Sequence, residues 1–257
     1  MMATAKHLRA PIVWRKDHAP DLWSIRIAPE QKLPFQSGQY ATLGVLQDGK
    51  VIERPYSIVS SPAEDEVEFF FELVPQGTMT PLLHPLGPGA ELLVRPACKG
   101  LFTLDRKSGR KKHLLVSTVT GVAPYVSMAR TLAAQPEDGF ELYVLQGASR
   151  SWELAYPQEL HELAGRHAWL KYVPTVSRPW DDPQWSGERG RVDDVVRKYT
   201  SQYGLVPGDT TAYLCGHPVM IENVRGILQR AGFPKDAIKE EVYFVIKPQK
   251  GATDEHG

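Results

Sequence analysis

The feature that most constrains this chain's fold is a change of rhythm near Leu104. Before it, β-like runs at 12–14, 22–27 and 40–45 are separated by Pro29, Pro34, Gly38 and Gly49. Residues 66–73 alternate, with Val67, Phe69, Phe71 and Leu73 on one face and three glutamates among the residues on the other. Residues 92–94 add one more strand. Beyond Leu104, strand candidates at 114–117, 141–146, 169–175 and 211–214 alternate with helix candidates at 124–134, 156–164, 192–199 and 218–231. That order implies right-handed crossovers and a parallel sheet covered on both faces. The expected fold is therefore two-domain: a β-barrel or sandwich over 1–105, then an α/β nucleotide-type domain over 106–257.

The totals exclude several classes of function. Lys plus Arg equals Asp plus Glu, 30 against 30, so no global field draws the protein onto nucleic acid or an anionic membrane. Two cysteines, Cys98 and Cys215, are too few for a disulfide scaffold, a four-cysteine iron–sulfur cluster or a four-cysteine zinc site, and suit a reducing cytosol. No 18-residue apolar window and no signal-peptide pattern occurs, so a cytoplasmic location without a membrane span is expected. Neither His-Glu-x-x-His nor Gly-x-Ser-x-Gly is present, which leaves zinc hydrolysis and common serine chemistry without a foothold. No metal site is expected. The basic run Arg106, Lys107, Arg110, Lys111 and Lys112 reads as a solvated turn between the domains.

Several stretches have the makings of a nucleotide site. Arg54-Pro55-Tyr56-Ser57 combines a cation, a fixed φ, an amphipathic ring and a hydroxyl. Gly77-Thr78-Met79-Thr80 precedes Pro81 and looks like a helix start with Thr80 as N-cap, which reads first as a plain capped helix and otherwise as free N–H groups for a pyrophosphate. Ser117 to Pro124, with Thr118, Thr120 and Gly121, joins the first α/β strand to its helix and equally suits a dinucleotide phosphate and close strand-to-helix packing; it is not a Gly-x-Gly-x-x-Gly. Arg150, Arg178 (in Ser177-Arg178) and Arg191 follow successive α/β strands, where they suit equally guanidiniums converging on a 2′-phosphate and scattered surface charge. Cys215-Gly216-His217-Pro218-Val219-Met220 closes the last strand and opens a helix; its thiol could touch a nicotinamide, though a buried structural cysteine is commoner.

In this order, over nearly the whole chain, these motifs resemble the ferredoxin–NADP reductase family. The resemblance implies an N-terminal antiparallel β-barrel for FAD and a C-terminal α/β domain for NADP(H). It implies that Arg54 meets FAD phosphate, Tyr56 lies beside the flavin ring and Ser57 contacts its N5. It further implies that 77–80 and 117–124 are pyrophosphate turns, that Cys215 borders the nicotinamide, and that Tyr243 or Phe244 stacks on the flavin. Val119 departs from the family, which often has glycine early in that loop. The implied activity is hydride transfer between NADP(H) and FAD, with single electrons passing to or from a separate ferredoxin or flavodoxin. Alternatives on the same scaffold are an oxygenase reductase component and a free-flavin or quinone reductase; from another class, a non-enzymatic FAD-binding regulatory subunit.

Overall fold

The computed structural model describes residues 6–137 and 139–242. Its N-terminal half holds strands β1 (Leu8–Ala19), β2 (Leu22–Ile27), β3 (Tyr40–Gln47), β4 (Lys50–Ser57), β5 (Val67–Glu72) and β6 (Glu91–Val94), with a short helix α1 (Thr80–Leu83). They form one antiparallel sheet in the order β4-β3-β6-β1-β2-β5. The two ends meet through an antiparallel bridge from Ile58 to Phe69, and Tyr56 packs edge-on against Phe71, closing the barrel. Its core is the inward set that alternation selects, including Trp23, Ile25, Ile27, Phe69 and Phe71.

The second half alternates strand and helix: β7 (Lys112–Thr118), α2 (Ala123–Ala134), β8 (Glu141–Ala148), α3 (Pro157–Arg166), β9 (Leu170–Val176), β10 (Glu188–Arg189), α4 (Val192–Gln202), β11 (Thr210–Gly216), α5 (Pro218–Arg230) and β12 (Ile238–Val242). All pairings are parallel, in the order β10-β9-β8-β7-β11-β12. Leu115, Val144 and Tyr213 face one apolar layer, with residues of α2 and α3; Leu114, Val116 and Leu214 face the other, with residues of α4 and α5. The order reverses between β7 and β11, so ligands are expected beyond the carboxyl ends of these two strands.

Two details go beyond the sequence pattern. The glutamate face of β5 is not left to water: Glu68 is fully buried, and Phe70 joins the core layer that also holds Tyr125, Val126 and Tyr156. Thr80 is not an N-cap. It is the first residue of α1, Met79 occupies the cap position without a side-chain bond, and Thr80 Oγ1 instead accepts the Val74 N–H at 2.9 Å. With only four residues, α1 offers no helix-end field for a phosphate.

The basic run 106–112 is largely neutralised within the fold. Arg106 pairs with Glu137, Arg110 with Asp236 and Lys112 with Asp209, while Lys111 lies over the Phe140 ring.

Candidate functional site

Strand β4 delivers Arg54, Pro55, Tyr56 and Ser57 to the barrel edge that faces the second unit. Pro55 is tolerated because β4 ends the sheet order and pairs on one side only along its length. These four residues line a cavity of 430 Å³ together with Tyr40, Gly77, Thr78, Met79 and Thr80. Arg54 is exposed; its Nη2 donates to Thr78 Oγ1 at 2.8 Å and its Nη1 to the Glu53 carbonyl at 2.8 Å. The cation is thereby fixed against the 77–80 turn. Burial raises the Tyr56 phenol far above its ordinary range, so the ring stays neutral.

Ser57 is buried and its Oγ donates to Glu241 Oε2 at 3.1 Å. Glu241 comes from β12, which pairs in register with β11 so that Glu241 stands beside Cys215. Burial raises the Glu241 carboxyl above the usual carboxylate range, partly offset by the Ser57 bond. Nothing in the local sequence marks Glu241, because its partner lies on the other unit.

A second cavity of 730 Å³ opens at the β7/β11 switch point. Thr118, Val119 and Thr120 line it from the end of β7, and Gly216, His217 and Met220 from the end of β11; Ser177, Arg191 and Asp193 complete the far wall. Thr118 Oγ1 accepts the His217 N–H at 2.8 Å, stapling the two loops. His217 caps α5, its Nδ1 accepting the Val219 N–H. The starts of α4 and α5 both reach this cavity; α5 opens on Pro218 with the Val219 N–H taken by His217, and α4 carries Asp193 and Asp194 in its first turn. Its polar lining includes Thr118, Thr120, Ser149, Ser177, Arg191 and His217, without a Gly-x-Gly-x-x-Gly.

Glycine is required at two points of this seam. A Cβ on Gly121 would lie 2.2 Å from the Cys215 carbonyl oxygen, so Gly121 serves close packing of loop on strand. Gly216 has φ of 131°, and a Cβ there would lie 2.3 Å from Thr118 Oγ1. Val119 has φ of 42°, in the left-handed region that a β-branched residue rarely adopts.

Not every expected residue reaches the cavities. Cys215 is fully buried in the core layer, one residue behind Gly216, and Pro124 is buried in the first turn of α2. Arg150 braces the exits of β8 and β9, bonding Glu153 at 3.2 Å and Asp181 at 2.8 Å. Arg178 is exposed beside it and does not line the cavity. Of the three arginines, Arg191 alone is on the wall; its Nε donates to Asp193, and Asp193 also accepts from Asn223. Tyr243 and Phe244 lie outside the described residues. Among the described residues no cluster of His, Cys, Asp or Glu could hold a metal ion, and no helix is long and apolar enough to cross a membrane.

Glu72, Val74 and Thr120 line both cavities, which therefore share a wall. Residues 18–102 match a family model described as an oxidoreductase FAD-binding domain, and residues 115–226 one described as an oxidoreductase NAD-binding domain. Fold, paired cavities and both matches define a flavin- and nicotinamide-dependent oxidoreductase.

The chain is 30% identical over 243 residues to the flavodoxin/ferredoxin–NADP reductase of Rhodobacter capsulatus, covering 88% of this chain and 87% of that protein. It is 32% identical over 247 residues to the ferredoxin–NADP reductase of Azotobacter vinelandii, covering 86% and 92%. A ferredoxin–NADP⁺ reductase from Neisseria gonorrhoeae, solved with bound FAD and NADP, superposes with a TM-score of 0.83 at 26% identity, covering 93% of this chain and 100% of that one. The chain belongs to the ferredoxin–NADP reductase family, and its cofactors are FAD and NADP(H).

Proposed function

We propose that this enzyme moves hydride between NADP(H) in the switch-point cavity and FAD in the barrel cavity, and exchanges single electrons with a separate ferredoxin or flavodoxin. The observation that carries this reading is the shared wall of Glu72, Val74 and Thr120, which sets the two cavities side by side. Bound there, FAD supplies the chemistry that accepts a hydride and releases its electrons one at a time.

The protein's own groups act by position and polarity. Arg54, fixed to Thr78, holds the flavin nucleotide's phosphates beside the turn of Gly77, Thr78, Met79 and Thr80, in which the Gly77 N–H is bonded to the Val74 carbonyl. Tyr56 gives a neutral platform for the ring, and Pro55 before it has its own φ fixed and restricts Arg54. Ser57 places a hydroxyl at the ring edge, and the buried carboxyl of Glu241 behind it holds its proton more tightly than an ordinary carboxyl does. Thr118, Thr120, Gly121, Pro124, Gly216 and Met220 shape the nicotinamide dinucleotide site, with Cys215 as its inner layer. Ser177 and Arg191 take the 2′-phosphate, while Arg150 and Arg178 shape its loop.

Ferredoxin or flavodoxin is favoured as partner by the extent of similarity to reductases named for them, which the chain matches over most of their length. The reductase component of phenol 2-monooxygenase from Pseudomonas sp. (strain CF600) is also 30% identical over 230 residues, but this chain spans only 63% of it. The test is NADPH-driven reduction of cytochrome c with and without added ferredoxin or flavodoxin. Strong dependence on either carrier is expected; a carrier-independent rate would place the acceptor elsewhere.

A further inference from the structure

The seam between barrel and α/β unit contains a polar cluster that neither cavity uses. Tyr156, just ahead of α3, stands at φ of 62° and is buried against the barrel. Its hydroxyl lies 2.6 Å from Ser24 Oγ on β2 and donates to Glu68 Oε1 on β5 at 2.8 Å. Glu68 Oε2 receives Arg130 Nη1 from α2 at 3.0 Å and Arg26 Nε from β2 at 3.1 Å. Arg130 turns its other edge to Glu159 of α3 in a two-pronged pair at 2.6 and 2.9 Å. Alongside, Ser127 Oγ donates to the Ser60 carbonyl at 2.6 Å.

Burying such groups is a poor route to stability, since apolar residues of similar volume often serve as well or better. What directional bonds add is a fixed relation between surfaces that apolar contact alone would let slide. The elements that carry the cluster also build the cavities. Glu68 is four residues before Glu72 on β5, about 13 Å at the usual strand rise. Arg130 is seven residues after Ala123, where α2 leaves the Thr118–Val122 loop, about 10 Å at the helical rise.

We propose that Tyr156, Glu68 and Arg130 are positioning residues that set the angle between the two units and so hold the two cavities in register for hydride transfer. The proposal rests on the function given above, because it concerns the approach of the two cofactors. A displacement of about 1 Å in reacting atoms can slow a reaction roughly a hundredfold. A small rotation at this cluster is therefore felt in rate before it is felt in binding.

The test uses the FAD-loaded protein and two variants: Tyr156→Phe, which removes one hydroxyl and leaves the ring, and Arg130→Lys, which keeps the charge and loses the fork. Flavin bleaching by saturating NADPH is followed by rapid mixing, with the NADPH concentration dependence and backbone hydrogen exchange. The expected result is bleaching slowed roughly tenfold, an unchanged half-saturating NADPH concentration, and faster exchange confined to 60–68 and 123–131. Bleaching at the wild-type rate in both variants would overturn the proposal even where exchange rises, since the cluster would then serve stability alone. Slower bleaching without faster exchange at the seam would overturn it too. A wild-type protein that NADPH does not bleach would overturn the functional reading itself, which separates the two failures.

Discussion

Replacing Val119 by alanine and, separately, by glycine tests whether the loop at the switch point carries backbone strain. At φ of 42° an L-residue pays about 1–2 kcal/mol relative to glycine, and β-branching adds to it. Both variants lose the same partly buried methyl groups, so most of the packing loss cancels between them. Glycine additionally loses about 0.5–1 kcal/mol of unfolded-chain entropy, the usual reason it is less stable than alanine. Subtracting, Val119→Gly should be more stable than Val119→Ala by roughly 0.5–1 kcal/mol. For a chain of this size that is about 2 °C in Tm. Thermal unfolding of the two FAD-loaded variants under identical conditions is the assay. An alanine variant that melts at or above the glycine variant would show that no strain resides there, and the loop's geometry would need another cause.

Two further perturbations address the seam between the cavities. Gly216→Ala places a Cβ against Thr118 Oγ1 and breaks the Thr118–His217 staple, so the half-saturating NADPH concentration should rise about tenfold or more while the flavin spectrum is kept; kinetics with FAD-loaded protein check it. Glu241 is held above its ordinary range by burial, so its protonated form favours the fold; that contribution is complete below the ordinary carboxylate value and is lost as pH rises through the raised one. Glu241→Gln should therefore gain Tm relative to wild type as pH rises above the ordinary carboxylate value, and a difference that stays flat with pH would contradict the assignment.

Much of the architecture was legible because periodicity reports burial. The run at 22–27 coincides with β2, and the expected helices match α2, α3, α4 and α5 to within a few residues at their ends. Strands β4 and β12 escaped for one reason. Both end their sheets and carry charged residues without clean alternation, so neither has a hydrophobic pattern to read. Glu68 shows a related limit: its strand alternates as a half-exposed strand would, and only the arrival of α2 and Tyr156 makes that face interior. The motif residues at loops were legible as a set, since each sits at a strand or helix end. Their partners were not, because Ser57–Glu241 and Thr118–His217 are contacts between segments far apart in the chain.

The central claim is that NADPH in one cavity delivers hydride to FAD in the other. Anaerobic rapid mixing of the FAD-loaded protein with NADPH and, separately, with NADH tests it most directly. The account predicts quick loss of the flavin's visible absorbance with NADPH and much lower efficiency with NADH, because Arg191 stands on the wall where the 2′-phosphate would lie. A flavin that NADPH leaves oxidised would contradict the account, and equal efficiency with both nucleotides would contradict the role given to Arg191.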